Sequence, residues 1–273
     1  MLDSSLRSGK VYLIGAGPGD PKLLTLKAVE ALGASDAILY DYLVNPEVLV
    51  HAKPGAELVF AGKRADEPGI TQEEINATLV ARAREGQIVA RLKGGDPFLF
   101  GRGGEEAEAL VDARIDWEVI PGVSAGLAAA AYAGIPVTHR DYSSSVTFVS
   151  GRQKDDRGLE PYQSPNNGTL VVFMCASTIS KIAGSLIKRG RAASTPAAII
   201  RWGTYEDQEV FSGTLEELAA LNRCEPKARI LPPAIAIIGE VVSLRSSLRW
   251  FGSVGRERSL SSLVDSTFCL TNV

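Results

Sequence analysis

Short apolar runs alternate with amphipathic stretches along the first half of the chain. The runs, each four to ten residues long and bounded by glycine or charged residues, are typical of buried strands. They occupy residues 11–14, 34–41, 56–64, 87–96 and 117–122. Helical periodicity fills the intervals at 21–32, 71–86, 102–115 and 124–134. Strands that alternate with helices predict an α/β fold.

The pattern of hydrophobic and polar residues changes near Val137. Further strands are predicted at 145–151, 169–175, 197–203 and 234–242, with helices at 178–190 and 213–222 and a polar loop at 152–168. The sequence therefore predicts an N-terminal α/β domain at 9–137 and a C-terminal α/β domain at 138–252. Residues 253–273 show no clear period, and we expect a disordered tail.

Composition narrows the class of protein. The chain has 273 residues, is 45% hydrophobic and 22% charged, and carries a formal net charge of -3. These values are typical of a soluble globular protein. The charge balance lacks the positive excess that is typical of nucleic-acid-binding proteins. Three widely spaced cysteines and two isolated histidines predict neither disulfides nor a metal site. With no long apolar run and no signal peptide, we expect a cytoplasmic protein and no membrane contact.

The stretch KVYLIGAGPGDPKLLTLKAVEAL begins with a strand and a glycine-rich turn. Gly15 and Gly17 fit the G-x-G-x-x-G dinucleotide fingerprint, but its third small position holds Asp20. Asp20 is better explained as a helix N-cap with Pro21 at the first helical position. Three interpretations remain open for this turn: a Rossmann loop, a tight turn without ligand, and the loop of another class of enzyme.

The stretch RLKGGDPFLFGRGGEEAEAL, residues 91–110, carries the most information. Gly94 and Gly95 follow a strand, and they lie at its carboxyl end, where α/β sheets bind ligands. Asp96 could accept hydrogen bonds from such a ligand; the alternative is an irregular loop that Asp96 caps. Met174 also ends a strand, although a lone methionine more often packs in the core. Phosphate-loop and paired-histidine motifs are absent from the sequence.

Taken together, the motifs GAGPGDPKLLTLKA, YDYLV, GKR, LKGGDPFLFGRGGEE, PGVSA, GIPVTHRDYSSSVTFVSG and PAIAIIGEVV resemble the tetrapyrrole methylases. The resemblance covers about residues 10–250 and implies two α/β domains with a cleft between them. It implies two S-adenosylmethionine-dependent C-methylations of uroporphyrinogen III, which give S-adenosylhomocysteine and precorrin-2 for sirohaem, cobalamin or haem d1 biosynthesis. It also implies a homodimer whose chains act without a fused second enzyme. In this family the first glycine loop does not bind a pyrophosphate.

The resemblance implies roles for individual residues. An acid/base pair falls on Asp41 and Lys63, with Arg102 as a third catalytic candidate, although an arginine base is chemically awkward. Glu105 and Arg140 match substrate-binding positions. Cofactor contacts fall on Pro18, Gly94, Gly95, Asp96, Leu99, Ser124, Ala125, Met174 and Gly203.

The chain departs from the family pattern in two places. Cys175 and Ala176 follow Met174 where relatives usually carry glycine, and Arg152 stands where histidine is common. Alternative functions are a precorrin methyltransferase with another tetrapyrrole substrate, a nicotinamide-dependent oxidoreductase, or a non-catalytic tetrapyrrole-binding module.

Overall fold

The computed structural model describes residues 9–62, 70–152, 167–221, 230–252 and 257–263. The chain divides into two compact units, Met1–Ala125 and Gly126–Val273. The sequence predicted the boundary at residue 137, after the small-residue helix α4 (Ala125–Tyr132). This helix groups with the second unit because its glycine and its alanines allow close packing there. A Cβ at Gly126 would lie 2.6 Å from the ring of Phe173.

The first unit holds a parallel five-stranded sheet in the order β3-β2-β4-β1-β5. Its strands are β1 (Lys10–Gly15), β2 (Ala37–Tyr40), β3 (Glu57–Phe60), β4 (Ile88–Lys93) and β5 (Asp116–Ile120). All five predicted strands are present. The third ends at Phe60, before the predicted end at Lys63 and Arg64, which lie outside the described residues.

Helices cover both faces of this sheet, as the apolar runs of its central strands require. The helix α1 (Leu26–Ala34) packs on one face, and α2 (Gln72–Arg84) and α3 (Gly103–Asp112) pack on the other. The predicted capping box at Thr71 and Glu74 opens α2.

The helix predicted at 21–32 is divided in the structure into a 3-10 turn and the helix α1. Asp20 caps a 3-10 turn, Pro21–Leu23, as expected, but Leu24 is extended and Thr25 caps a second start.

The second unit holds a mixed six-stranded sheet in the order β11-β9-β8-β10-β7-β6. Its strands are β6 (Val146–Ser150), β7 (Thr169–Phe173), β8 (Pro196–Arg201), β9 (Glu209–Thr214), β10 (Ala234–Ile238) and β11 (Glu257–Ser259). Its further helices are α5 (Ile179–Lys188), α6 (Leu215–Ala220) and α7 (Arg245–Leu248). Strands β9 and β11 were not predicted from the sequence.

The C-terminal residues contribute to this second sheet. The sequence predicted a disordered tail from residue 253, yet β11 pairs in parallel with β9 and a 3-10 turn, Leu260–Leu263, follows it. Leu260 is fully buried in the core of the unit, which supplies the physical reason for the order of this segment. The rest of the predicted tail lies outside the described residues.

None of the helices in the described ranges has the length and apolarity needed to cross a bilayer.

Candidate functional site

The carboxyl edge of the first sheet has the features of a ligand site between β1 and β4. The chain leaves β1 toward β2 on one side, and it leaves β4 toward β5 on the other. The helices that follow, α1 and α3, therefore pack on opposite faces. In open α/β sheets the crevice at such a switch point binds ligands.

The two glycine loops at this edge bind each other through their backbones. Gly95 N–H donates to Gly17 O at 2.7 Å, Gly17 N–H donates to Gly95 O at 3.2 Å, and Ala16 N–H donates to Lys93 O at 2.7 Å. These amides are therefore already paired and do not point at a pyrophosphate. The geometry argues against the dinucleotide interpretation of the first loop.

Glycine is required where the strand ends meet. A Cβ at Gly15 would lie 2.5 Å from Gly122 N, and one at Gly122 would lie 2.3 Å from Gly95 O. Both distances are far inside van der Waals contact, so side chains are excluded at these positions. The first loop thus serves to pack three strand ends together.

Several predicted cofactor residues of the first unit converge at this edge. Asp96 accepts from Phe98 N–H at 2.9 Å and from Gly122 N–H at 3.2 Å, and it thereby ties the β4 loop to the β5 loop. The Cβ position of Gly95 lies 3.7 Å from Ala125 N and 4.0 Å from Ser124 Cα. Gly95 has φ +68°, so a branched side chain there would be strained whether or not a ligand binds. Gly94, Leu99 and Pro18 belong to the same two loops.

The remaining predicted cofactor residues, Met174 and Gly203, lie in the second unit. They follow β7 and β8, which run in the same direction because both pair antiparallel with β10. Met174 is 43% exposed with φ 51°, and the residues flanking Gly203 also have positive φ. Left-handed non-glycine residues concentrate at functional sites. Met174 therefore does not pack in the core.

Asp41 directly follows β2 and belongs to a largely buried ionic cluster of four residues. Its Oδ1 accepts from Arg91 Nη2 at 2.5 Å, and its Oδ2 lies 3.9 Å from Lys93 Nζ. Glu106 Oε1 accepts from Arg91 Nε at 2.9 Å and from Lys93 Nζ at 2.8 Å. Arg91, Lys93 and Glu106 are buried, whereas the Asp41 side chain is 29% exposed. Burial, with help from Arg91, lowers the pKa of Lys93.

Arg102 and Glu105, the arginine and first glutamate of FGRGGEE, pair with each other. Arg102 Nε donates to Oε1 at 2.8 Å and Nη2 donates to Oε2 at 2.6 Å, and both side chains are about half exposed. This hydrogen-bonded pairing raises the pKa of Arg102. The structure thus strengthens the objection to Arg102 as a base.

The other predicted residues are less constrained by the structure. Lys63 lies outside the described residues. Arg140 is exposed in the turn that the His139–Ser143 bridge closes. Cys175 is buried and hydrogen-bonded to Ala234 O, and burial raises its pKa to about 12, so its thiol is no nucleophile. Within the described ranges, His, Cys, Asp and Glu side chains form no group suited to a metal ion.

Sequence reasoning missed the cluster around Asp41. The signal for it was present, because Arg91 and Lys93 alternate with apolar residues inside a central strand, and Glu106 shares a helix face with Leu110. Charged residues at positions that must be buried require partners.

Comparison with known proteins places these features in a family. A family model described as Tetrapyrrole (Corrin/Porphyrin) Methylases matches residues 10–219. The chain is 48% identical over 256 residues to "Uroporphyrinogen-III C-methyltransferase" of Bacillus subtilis (strain 168), covering 93% of this chain and 98% of the relative. It is 47% identical over 248 residues to "Siroheme synthase" of Pseudomonas putida (strain W619), covering 90% of this chain and 53% of that longer relative.

A solved structure agrees with the α/β fold. The Thermus thermophilus "Uroporphyrin-III C-methyl transferase", complexed with "S-adenyl homocysteine", superimposes with a TM-score of 0.74 at 40% identity, covering 86% of this chain and 100% of that one. The predicted fold class is confirmed. By the family match and the identity to these relatives, the chain belongs to the tetrapyrrole (corrin/porphyrin) methylase family.

Proposed function

We propose that this chain transfers methyl groups from S-adenosylmethionine to two ring carbons of uroporphyrinogen III and releases precorrin-2. The observation that carries the proposal is the 48% identity to the Bacillus subtilis relative named for this activity, over 98% of that relative's length. The Thermus thermophilus structure, a complex with "S-adenyl homocysteine", supports the choice of methyl donor.

The residues at the two sets of strand ends suit this cofactor. The backbone at Gly94 and Gly95 carries no side chain, so an adenosyl group can approach it closely. The Met174 side chain projects from a left-handed turn and is partly exposed, as a ligand contact requires. We propose that these residues hold the cofactor together with Pro18, Asp96, Leu99, Ser124, Ala125 and Gly203.

When bound, S-adenosylmethionine supplies an electrophilic methyl group that an electron-rich pyrrole carbon attacks. The attacked ring carbon already carries a side chain and has no hydrogen to lose, so methyl transfer leaves a cationic macrocycle. A base must then remove a proton from elsewhere in the macrocycle to restore the neutral tetrapyrrole. We propose that the partly exposed carboxylate of Asp41 accepts this proton, with Lys63 as its acid/base partner. Arg102, bound to Glu105 and always protonated, orients the substrate and does not remove the proton.

Arginine side chains suit the carboxylates on the rim of the macrocycle. We propose that Arg140 and the Arg102–Glu105 pair contact this rim. Arg140→Ala should raise the apparent KM for uroporphyrinogen III more than the KM for the methyl donor. Arg84→Ala, which removes an exposed arginine at the end of α2, is the matched control. An unchanged KM for the macrocycle in Arg140→Ala would exclude this contact.

The decisive experiment is incubation of the purified chain with uroporphyrinogen III and methyl-labelled S-adenosylmethionine, followed by product mass. We expect the mass of a doubly methylated product. A methylated product from another tetrapyrrole alone would favour the precorrin methyltransferase alternative. If no methyl transfer occurs and NADH binds tightly in a parallel titration, the oxidoreductase alternative is favoured.

We further propose that the chain acts as a cytoplasmic homodimer. The support is the family resemblance, together with an enzyme chemistry that needs no membrane. Sedimentation equilibrium should give twice the 29.0 kDa mass of the chain. A monomer mass at micromolar concentration would contradict the dimer, and recovery of the native protein in a membrane fraction would contradict the compartment.

A further inference from the structure

The ionic cluster at Asp41 is built from three elements of the first unit. In β4, the alternation that directs Val89 toward α2 and α3 directs Arg91 and Lys93 the same way. Glu106 enters from the first turn of α3 and is fully buried. Asp41, which follows β2, is the one member of the four with substantial exposure. The cluster therefore meets solvent, and any bound substrate, at the Asp41 carboxylate.

The charges in the cluster balance. Arg91 and Lys93 contribute two positive charges, and Asp41 and Glu106 contribute two negative ones. One oxygen of Glu106 accepts from both cations and from Gln72 Nε2 at 3.2 Å, while its other oxygen has no hydrogen-bond partner among the described residues. A buried charge without a counter-charge is costly, so the four groups constrain one another.

We propose that Arg91, Lys93 and Glu106 are positioning residues for the Asp41 carboxylate: Glu106 fixes the two cations, and the cations fix the two Asp41 oxygens. The inference rests on the proposed role of Asp41 as the base. It adds the means by which a strand-end carboxylate is held in one orientation for proton transfer. Arg91 hydrogen-bonds one oxygen, and Lys93 faces the other at 3.9 Å.

The same geometry places charges of opposite sign at different distances from the Asp41 carboxylate. Within the described residues, the charged groups that face Asp41 are Arg91 and Lys93 of β4 and, behind them, Glu106 of α3; α2 contributes the neutral Gln72. Loss of a nearby positive charge disfavours the carboxylate, and loss of a nearby negative charge favours it. Variants of Lys93 and Glu106 should therefore shift the pH profile of methyl transfer in opposite directions.

The test is the pH dependence of single-turnover methyl transfer in Lys93→Met, Glu106→Gln and the double variant. Lys93→Met should move the acidic limb of the rate–pH profile to higher pH, and Glu106→Gln should move this limb to lower pH. We expect each shift to be about one pH unit. The double variant restores charge balance, so its limb should lie near that of the wild type. Its rate should still fall by about 10-fold to 100-fold, because Asp41 has lost part of its support.

Glu108→Gln is the matched control, since Glu108 is exposed on the same helix. Its acidic limb and its rate should equal those of the wild type. Donor affinity, measured by calorimetry, should stay unchanged in every folded variant. Melting temperatures show which single variants fold. If neither single variant folds, the rate of the charge-balanced double variant tests the positioning role.

Several outcomes would overturn the positioning role. One is an unmoved acidic limb in both single variants with lowered melting temperatures, which would make the cluster purely structural. Another is a wild-type rate in the double variant. Asp41→Asn with a wild-type single-turnover rate would remove Asp41 as the base, and the positioning role with it. Absence of methyl transfer by the wild-type chain is a separate result, which would overturn the proposed function itself.

Discussion

Met174 has a backbone conformation that its side chain disfavours. Its φ of 51° is left-handed, and its side chain is 43% exposed. From the sequence, core packing was the more common interpretation of a lone methionine at a strand end. The structure removes that interpretation but does not by itself supply a ligand. A strained, exposed residue at a strand end calls for a direct binding test.

Met174→Gly provides this test, because glycine adopts the left-handed conformation without strain. We expect the free energy of unfolding to stay within about 1 kcal/mol of the wild type. The Kd for S-adenosylmethionine should rise about 10-fold to 100-fold, the effect of losing a buried methionine contact of about 1.5–3 kcal/mol. Arg114→Gly, at an exposed residue with φ 55°, is the control and should leave the Kd unchanged. Wild-type affinity in Met174→Gly would exclude the contact.

Glu118 binds two lysines, Lys10 at 2.8 Å and Lys27, and so joins β5 to β1 and α1. The hydrogen bonds from Lys10 and then Lys27 lower the pKa of Glu118 to about 2. The unfolded carboxyl has a pKa of about 4.3. The stabilisation is therefore complete above about pH 4.3 and is lost as the pH falls toward 2.

Glu118→Gln should accordingly destabilise the chain at pH 7 by less than about 1 kcal/mol, the scale of a partly exposed ion pair. The difference in melting temperature between wild type and variant should shrink as the pH is lowered from 5 to 2. Glu30→Gln, at an exposed residue of α1, should show no such trend. A difference that stays constant with pH would contradict the assigned ion pair.

At the scale of elements, α5 shows that backbone conformation and free space are separate constraints on glycine. Gly184 lies inside the helix and Gly190 lies just beyond it. At both positions a Cβ would meet no heavy atom of the described residues within 4 Å. Only Gly190 has a positive φ, +96°. Helix interiors disfavour glycine, and left-handed helix ends favour it.

Gly184→Ala should therefore stabilise the chain by about 0.5–1 kcal/mol. Gly190→Ala, the matched variant, should destabilise it by about 1 kcal/mol, because alanine is strained at a left-handed position. Urea denaturation of both variants measures the two signs. Equal shifts in the same direction would show that local packing, and not φ, controls these positions.

At the scale of the whole molecule, the end of the chain completes the second sheet. Strand β11 extends the sheet beyond β9, and Leu260 and Leu263 enter the same core cluster as β7, β8 and β10. The sequence pattern did not reveal this, because a three-residue strand is too short to show a period. The second unit thus depends on residues remote in sequence from its other strands.

Leu260→Ala should lower the free energy of unfolding by about 2–5 kcal/mol, the usual cost of a buried leucine truncation. Leu248→Ala, at a residue that is 47% exposed, is the control and should change it by less than about 1 kcal/mol. Equilibrium unfolding in urea, followed by far-UV circular dichroism, gives both values. Equal effects would mean that the C-terminal turn contributes little to the core in solution.

The sequence by itself determined the α/β class, the strands of the first sheet, the Asp20 cap and the capping box at Thr71. These features follow from local periodicity and from side-chain hydrogen bonds within a few residues. It also determined the family, because the glycine and charged motifs occur in order along most of the chain. Local patterns of this kind can be recognised in the sequence without knowledge of the fold.

The tertiary structure alone decided how those motifs are used. Gly17 and Gly95 pair across two loops, and the amides of Ala16 and Gly17 in the first glycine turn are therefore already hydrogen-bonded to backbone oxygens. Asp41, Arg91 and Glu106 come from three elements, and their ion pairs exist only once β2, β4 and α3 have packed. The strand β11 pairs with β9, although β10 lies between the two in the sequence. Contacts between distant residues depend on strand order and register, which local sequence patterns do not encode.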